Sequence, residues 1–269
     1  MNADHWYLLP VGCSIAVLAM SSGISAGNLW VPVYLLWARF EPPLAFWMTL
    51  TTMLCGYGSG VVRNLRQGTI NRRCILRYLP CTVPAAIAGG YLSPAIDVSW
   101  LIFVFSVFVL GYGAHMLRPA TWRFEAVTPS AWERAGVRDY TIALVGGTVH
   151  GMIAVGLGEL MLPSLLTDRK LYSPAEAVGS TVLVIFVTSL AAAMVRLHGS
   201  FLTALGEQHT VLLGAIIFAA PGVILGGQLG PAIARRLNAR ALRLYVAIIL
   251  LLVGLLMLLR LLATAGFIR

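Results

Sequence analysis

Two stretches of this chain, 131 residues apart, interrupt a long apolar run in the same way. The first reads Gly23-Ile-Ser-Ala-Gly27-Asn-Leu29-Trp-Val-Pro32-Val-Tyr-Leu35. The second reads Ala154-Val-Gly-Leu-Gly158-Glu-Leu160-Met-Leu-Pro163-Ser-Leu-Leu166. Glycine and proline inside an apolar segment break a helix. In a bilayer, broken backbone survives only where protein buries it or where it lines a watery cavity. A duplicated break in a membrane protein therefore points to a transport site.

That the setting is a membrane follows from composition. The chain is 59% apolar and 11% charged, against about 45–50% and about 25% in soluble domains. Apolar runs near 7–38, 43–62, 98–117, 139–167, 174–195, 209–230 and 241–263 are long enough to span. A weaker run near 74–94 carries Arg77, Pro80 and Pro84. The first segment lacks the basic start and cleavage site of a removed signal peptide. The net charge of +9 lies largely in loops between spans, which points to membrane topology rather than nucleic acid. Cys13, Cys55, Cys74 and Cys81 form no C-x-x-C pair and read as structural cysteines.

The duplication extends past the breaks. Pro43 matches Pro174 and Gly68 matches Gly199 at the same offset, which then lengthens to 137. There Pro84-Ala-Ala-Ile-Ala-Gly-Gly-Tyr-Leu-Ser-Pro94-Ala-Ile faces Pro221-Gly-Val-Ile-Leu-Gly-Gly-Gln-Leu-Gly-Pro231-Ala-Ile, identical at 8 of 13 positions. The expected organisation is a first repeat unit over 1–118, a cytoplasmic linker over 119–138 and a second unit over 139–269. Each unit holds a broken segment followed by three transmembrane helices.

If each broken segment crosses the membrane once, the copies are parallel, and 12 of the 19 basic residues lie inside. If each enters and returns on one side, the copies are inverted, and 15 lie inside. The positive-inside rule favours inverted repeats with re-entrant first segments. Length agrees, since residues 8–37 as one helix would measure about 45 Å against a hydrocarbon core of about 30 Å. A single tilted, kinked helix is the alternative.

Half-helices beginning near Asn28 and Glu159 would turn N–H groups and a positive dipole end into the centre of the membrane, a setting for a small anion. Ser21, Ser22, Gly23, Ser25, Gly27, Asn28, Thr49 and Thr52 form the expected binding set in the first copy. Gly156, Gly158, Glu159, Ser180 and Thr181 form it in the second. Uncharged hydroxyls can hold an oxyanion and release it again, although single hydroxyls also serve as helix-packing glue. Pro32 and Pro163 are the structural breaks. Glu159 occupies the position of Asn28, and a carboxylate in the membrane is costly and usually functional. Glu159 and His150 are the candidates for proton coupling, with an interhelical hydrogen bond as the plainer role. Arg196, at a span end, reads first as an interfacial snorkelling residue.

The broken segment Gly23-x-x-x-Gly27-x-x-x-x-Pro32 and its repeat resemble the sulfite exporter TauE/SafE family, also called toluenesulfonate uptake permeases. Pro174-Ala-Glu-Ala-Val-Gly179-Ser-Thr181 looks like that family's Ala-Val-Gly-Thr-Ser region, and Ile87-Ala-Gly-Gly and Ile224-Leu-Gly-Gly resemble its glycine-rich span. The resemblance covers nearly the whole chain. It implies movement of small sulfur oxyanions such as sulfite, thiosulfate and sulfonates. The chain departs from the family where glycines give way to Asn28 and Glu159.

The expected protein is an all-α, multi-pass secondary transporter of the bacterial inner membrane. Its partners would be a small anion, the lipid bilayer and a coupling proton or other ion. No cofactor, metal or nucleic acid is implied, and the oligomeric state is unassigned. A carboxylate transporter and a membrane scaffold are the alternatives. The sequence has no Gly-x-x-x-x-Gly-Lys loop, H-E-x-x-H pair or G-x-S-x-G turn, and an enzyme is not expected.

Overall fold

A computed structural model describes residues 5–22, 24–117, 136–167, 173–197, 199–234 and 239–264. Most of the expected linker lies outside them. Eleven α-helices form among the described residues, with no strand. They are α1 (Leu8–Ser22), α2 (Gly27–Pro32), α3 (Pro42–Arg66), α4 (Arg72–Leu92), α5 (Val98–Leu117) and α6 (Val137–Ile153). The rest are α7 (Leu157–Thr167), α8 (Pro174–Val195), α9 (Gly199–Glu207), α10 (His209–Ala234) and α11 (Ala239–Thr264). Stretches of four helices, Val98–Leu117, Ala175–Val195, His209–Gly230 and Leu244–Ala263, are long and apolar enough to cross a membrane.

Helix ends follow local chemistry. The Asn71 side chain accepts the N–H groups of Arg73 and Cys74, starting α4. Ser173 and Glu176 form a reciprocal capping box at α8, with Pro174 in its first turn. Pro32 removes a backbone donor from α2, and the chain widens directly into a π-helical turn, Val33–Trp37, closed by the Ala38 N–H on the Val33 carbonyl.

The glycine pairs of the repeat explain how the units interlock. A Cβ on Gly89 would collide with the Thr148 carbonyl of α6, and one on Gly226 with the Cys13 carbonyl of α1. Gly151 likewise meets the Ala86 carbonyl, and Gly222 that of Leu9. Each later span thus seats the first half-helix of the other unit: α1 lies along α10 and α6 along α4. Only a missing side chain lets helices approach so closely.

Contacts also fix relative direction. Trp47 near the start of α3 bonds the Ala193 carbonyl near the end of α8, while Gly60 meets Val182, so these equivalent helices run antiparallel. So do α5 and α11, where Gly113 faces Leu250 and Gly254 faces Leu110. Meanwhile α1, α3 and α10 share one sense, and α4, α6 and α8 share the opposite one. Within each broken segment the chain doubles back: Tyr7 stacks on Trp37 with ring centroids 5.1 Å apart, and Gly146 packs on Leu157. The change of repeat offset from 131 to 137 falls at α9, a short helix between α8 and α10 with no counterpart between α3 and α4.

Replacing Gly226 by Ala forces α1 and α10 apart and is expected to destabilise the protein by about 1–3 kcal/mol. Gly111→Ala, which meets nothing within 4 Å, should leave stability unchanged or slightly raised. Melting of the two variants in detergent checks this, and equal losses would contradict the packing argument.

Candidate functional site

The two chain reversals meet. A Cβ on Gly27 would strike the Ala154 carbonyl, so the first reversal rests directly on the second. The second is a tight turn, with Ala154 at φ +62° and Gly156 at φ +106°. Glycine tolerates this backbone; alanine does so at a cost.

Glu159 ties the turns together. Its Oε1 accepts the Ser25 N–H at 2.6 Å and the Asn28 Nδ2 at 2.6 Å. Its Oε2 accepts the Gly156 N–H at 3.0 Å. Asn28 and Glu159, equivalent in the two copies, are therefore hydrogen-bonded to each other, and both are buried. The Asn28 Oδ1 has no partner. Pro32 and Pro163 each follow this pair by four residues, so neither the Asn28 nor the Glu159 carbonyl can receive the usual bond from an i+4 N–H.

The N–H groups expected to face an anion are thus already engaged. Ser25 serves Glu159, Ala26 donates to the Tyr57 hydroxyl at 3.3 Å, Gly27 to the Ser25 Oγ at 3.4 Å and Asn28 to the Ser25 carbonyl at 3.2 Å. The group held by donors from both turns is the protein's own carboxylate.

Ser25, Gly27, Asn28, Gly156, Gly158 and Glu159 come together here; the Gly158 Cβ position lies 3.8 Å from the Ser25 nitrogen. Thr52 reaches the Tyr34 hydroxyl at 2.6 Å. Thr49 and Thr181 bond back to the Ala45 and Ala177 carbonyls of their own helices. Ser180 accepts the Asn71 N–H at the loop before α4, away from the reversals. Gly23 and the side chains of Ser21 and Ser22 lie outside the described residues. His150, fully buried, bonds the Ser189 hydroxyl at 2.8 Å, with its Nδ1 unpartnered.

One residue escapes the sequence reading. Arg196 is only 4% exposed, not snorkelling at an interface. Its Nη2 donates to the Gly151 carbonyl at 2.7 Å, the Met152 carbonyl at 2.6 Å and the Ser93 Oγ at 3.3 Å. It caps the carbonyl end of α6, where a cation suits the helix dipole. The available signal was the repeat itself, which places Leu65 at the matching position of the first copy.

A separate open groove of about 480 Å³ runs between α1, α2 and α11, lined by Val11, Leu18, Leu29, Trp37 and Val253 among others. Its lining carries no charged side chain, so it is unsuited to an anion; the donors converge at Glu159 instead.

Known proteins resemble this chain along most of its length. The family described as sulfite exporter TauE/SafE matches residues 8–257. A protein of Bacillus subtilis (strain 168), named as the probable membrane transporter protein YunE, is 22% identical over 271 residues, covering 92% of this chain and 94% of that protein. No solved structure matches significantly. The chain, a multi-pass membrane protein with its paired reversals inside the matched region, belongs to the sulfite exporter TauE/SafE family of membrane transporters.

Proposed function

We propose that this protein is a secondary transporter of the bacterial plasma (inner) membrane for a small anion, a sulfur oxyanion or sulfonate. The anion binds where the two reversals meet. The observation that carries this reading is the convergence of the Ser25 N–H, the Asn28 amide and the Gly156 N–H on one anionic group. The Glu159 carboxylate occupies these donors at rest, and a transported oxyanion takes its place during transport. The sulfur assignment comes from the family. That the donors now hold a carboxylate favours a small carboxylate as the second reading.

Inverted repeats with re-entrant hairpins fit the geometry. Equivalent helices α3 and α8 run antiparallel, as do α5 and α11, and Tyr7 stacking on Trp37 returns the first hairpin to the face it left. This arrangement puts 15 of the 19 basic residues on the cytoplasmic side. The bound anion then sits between two oppositely oriented hairpins, and rocking the surrounding bodies exposes it to each side in turn. No catalytic residue is assigned.

Proteoliposomes containing the purified protein should take up radiolabelled sulfite or a sulfonate saturably. Asn28→Ala, losing one hydrogen bond to a charged group, should weaken apparent affinity at least about tenfold. Preference for carboxylates would select the second reading, and absence of saturable flux would leave a scaffold. Tags at residues 2 and 269 should both lie outside the cytoplasm; a cytoplasmic C-terminus would refute the inverted topology.

A further inference from the structure

We infer that Arg196 and Glu159 are the two counter-charges of the transported anion, one fixed and one exchangeable, so that a monoanion crosses together with one proton and no net charge moves. This rests on the anion-transport reading above.

Among the described residues, Glu159 and Arg196 are the one carboxylate and the one guanidinium in the buried interior, at 2% and 4% exposure. They form no ion pair with each other; the one described salt bridge joins Arg77 and Asp139. Yet both are fastened to the same turn. Arg196 holds the carbonyls of Gly151 and Met152 on its α6 side, and Glu159 holds the Gly156 N–H on its α7 side. Each charge faces the helix end of complementary sign. A lone buried charge is costly; with one charge of each sign fastened to this turn, the pair adds no net charge at rest. The Arg196 Nε, buried and without a partner, leaves one donor of the guanidinium unspent.

An added anion upsets this balance. With Glu159 ionised, the interior would hold two negative charges against one guanidinium, and the donors would already be taken. A proton moving from solution to the Glu159 carboxylate removes one negative charge. It also loosens the hold of that carboxylate on the Ser25 N–H and the Asn28 amide, which then turn to the incoming anion. Arg196 cannot exchange its charge in this way, because a guanidinium stays protonated. The other titratable groups nearby are Tyr57 of α3, which accepts the Ala26 N–H, and His150 of α6, bonded to Ser189 of α8. A proton on His150 would set like charges side by side, since the next two residues carry the carbonyls that grip Arg196. The rest of α2 and α7 brings no further ionisable side chain. One fixed cation and one proton site suit a singly charged ligand, such as a sulfonate, better than a dianion.

The test titrates purified protein in weakly buffered detergent solution with sodium methanesulfonate, a fully ionised monoanion, reading bound anion and pH together. Wild type should take up about one proton per anion bound, and Glu159→Gln should bind without proton uptake. Arg196→Gln should weaken binding by at least about tenfold, and Arg196→Lys should recover part of the loss. Size-exclusion profiles and melting curves separate unfolding from lost binding. In proteoliposomes, flux should not respond to an imposed potassium diffusion potential. Anion binding by wild type without proton uptake, sodium uptake in its place, potential-driven flux, or wild-type binding by a folded Arg196→Gln would each overturn the inference while leaving anion transport standing. Failure of wild type to bind any sulfonate, sulfur oxyanion or carboxylate would instead remove the transport reading and this inference with it.

Discussion

The contact on which the centre of this protein depends is one carboxylate shared by two turns. Helix ends inside a membrane leave N–H groups that no water can satisfy, each costing several kcal/mol if unpaired. Glu159 answers that demand for both copies at once, through Ser25 and Asn28 of the first and Gly156 of its own. Remove it, and Ser25 and Gly156 each lose a partner in the middle of the fold. The same contact fixes how closely the reversals approach, with Gly27 against the Ala154 carbonyl. Stability therefore draws on this one set of donors, and any group that replaced the carboxylate would have to satisfy the donors it leaves behind.

The packing around the crossing determines what can move. Besides the crossing itself, the tightest seams between long helices are backbone against backbone: α1 on α10 through Gly222 and Gly226, and α6 on α4 through Gly89 and Gly151. Helices locked at that distance have no side chains whose rotamers could absorb a shift. The seam between α3 and α8 is different, with Gly58 meeting the Phe186 ring and Gly60 the side chains of Met20 and Val182. Relative motion is therefore easier across α3 and α8 than between a half-helix and the span that seats it. These packed pairs join the two halves of the sequence, since α1 lies on α10 and α6 on α4.

Much of this was legible in the sequence because duplication amplifies weak signals. A single Gly27 or Pro32 says little, but their return at Gly158 and Pro163 locates both reversals. The matched Gly89-Gly90 and Gly226-Gly227 pairs were visible as a pattern. Their purpose was not, because a glycine seat for another helix depends on which helix arrives. The alignment set Asn28 opposite Glu159, yet alignment describes equivalence and not contact; they touch because the two reversals meet, with Gly27 against the Ala154 carbonyl. The hydroxyls were harder to read. Thr49, Thr181 and Ser180 lie in the right helices, but a threonine in a helix can always turn back to its own i−4 carbonyl, and sequence does not reveal which choice is made. Arg196 was misread for a related reason: a basic residue at the end of an apolar span usually reaches water, and only the tertiary fold brings the carbonyl end of α6 to it.

Comparing the copies shows where the symmetry was broken. The first hairpin carries Asn28, and Leu65 stands at the first-copy position matching Arg196; the second copy carries Glu159 and Arg196. Both charges are buried, and both grip the turn of the second hairpin, with Glu159 reaching Ser25 and Asn28 of the first as well. Two carboxylates facing each other at this contact would repel in a medium of low dielectric. Two asparagines would leave the turn donors with no anionic partner. One amide and one carboxylate make a complementary pair, in which the amide donates and the carboxylate accepts. The duplicated backbone thus builds a similar turn in each copy, while the single acid and single base are both supplied by the second.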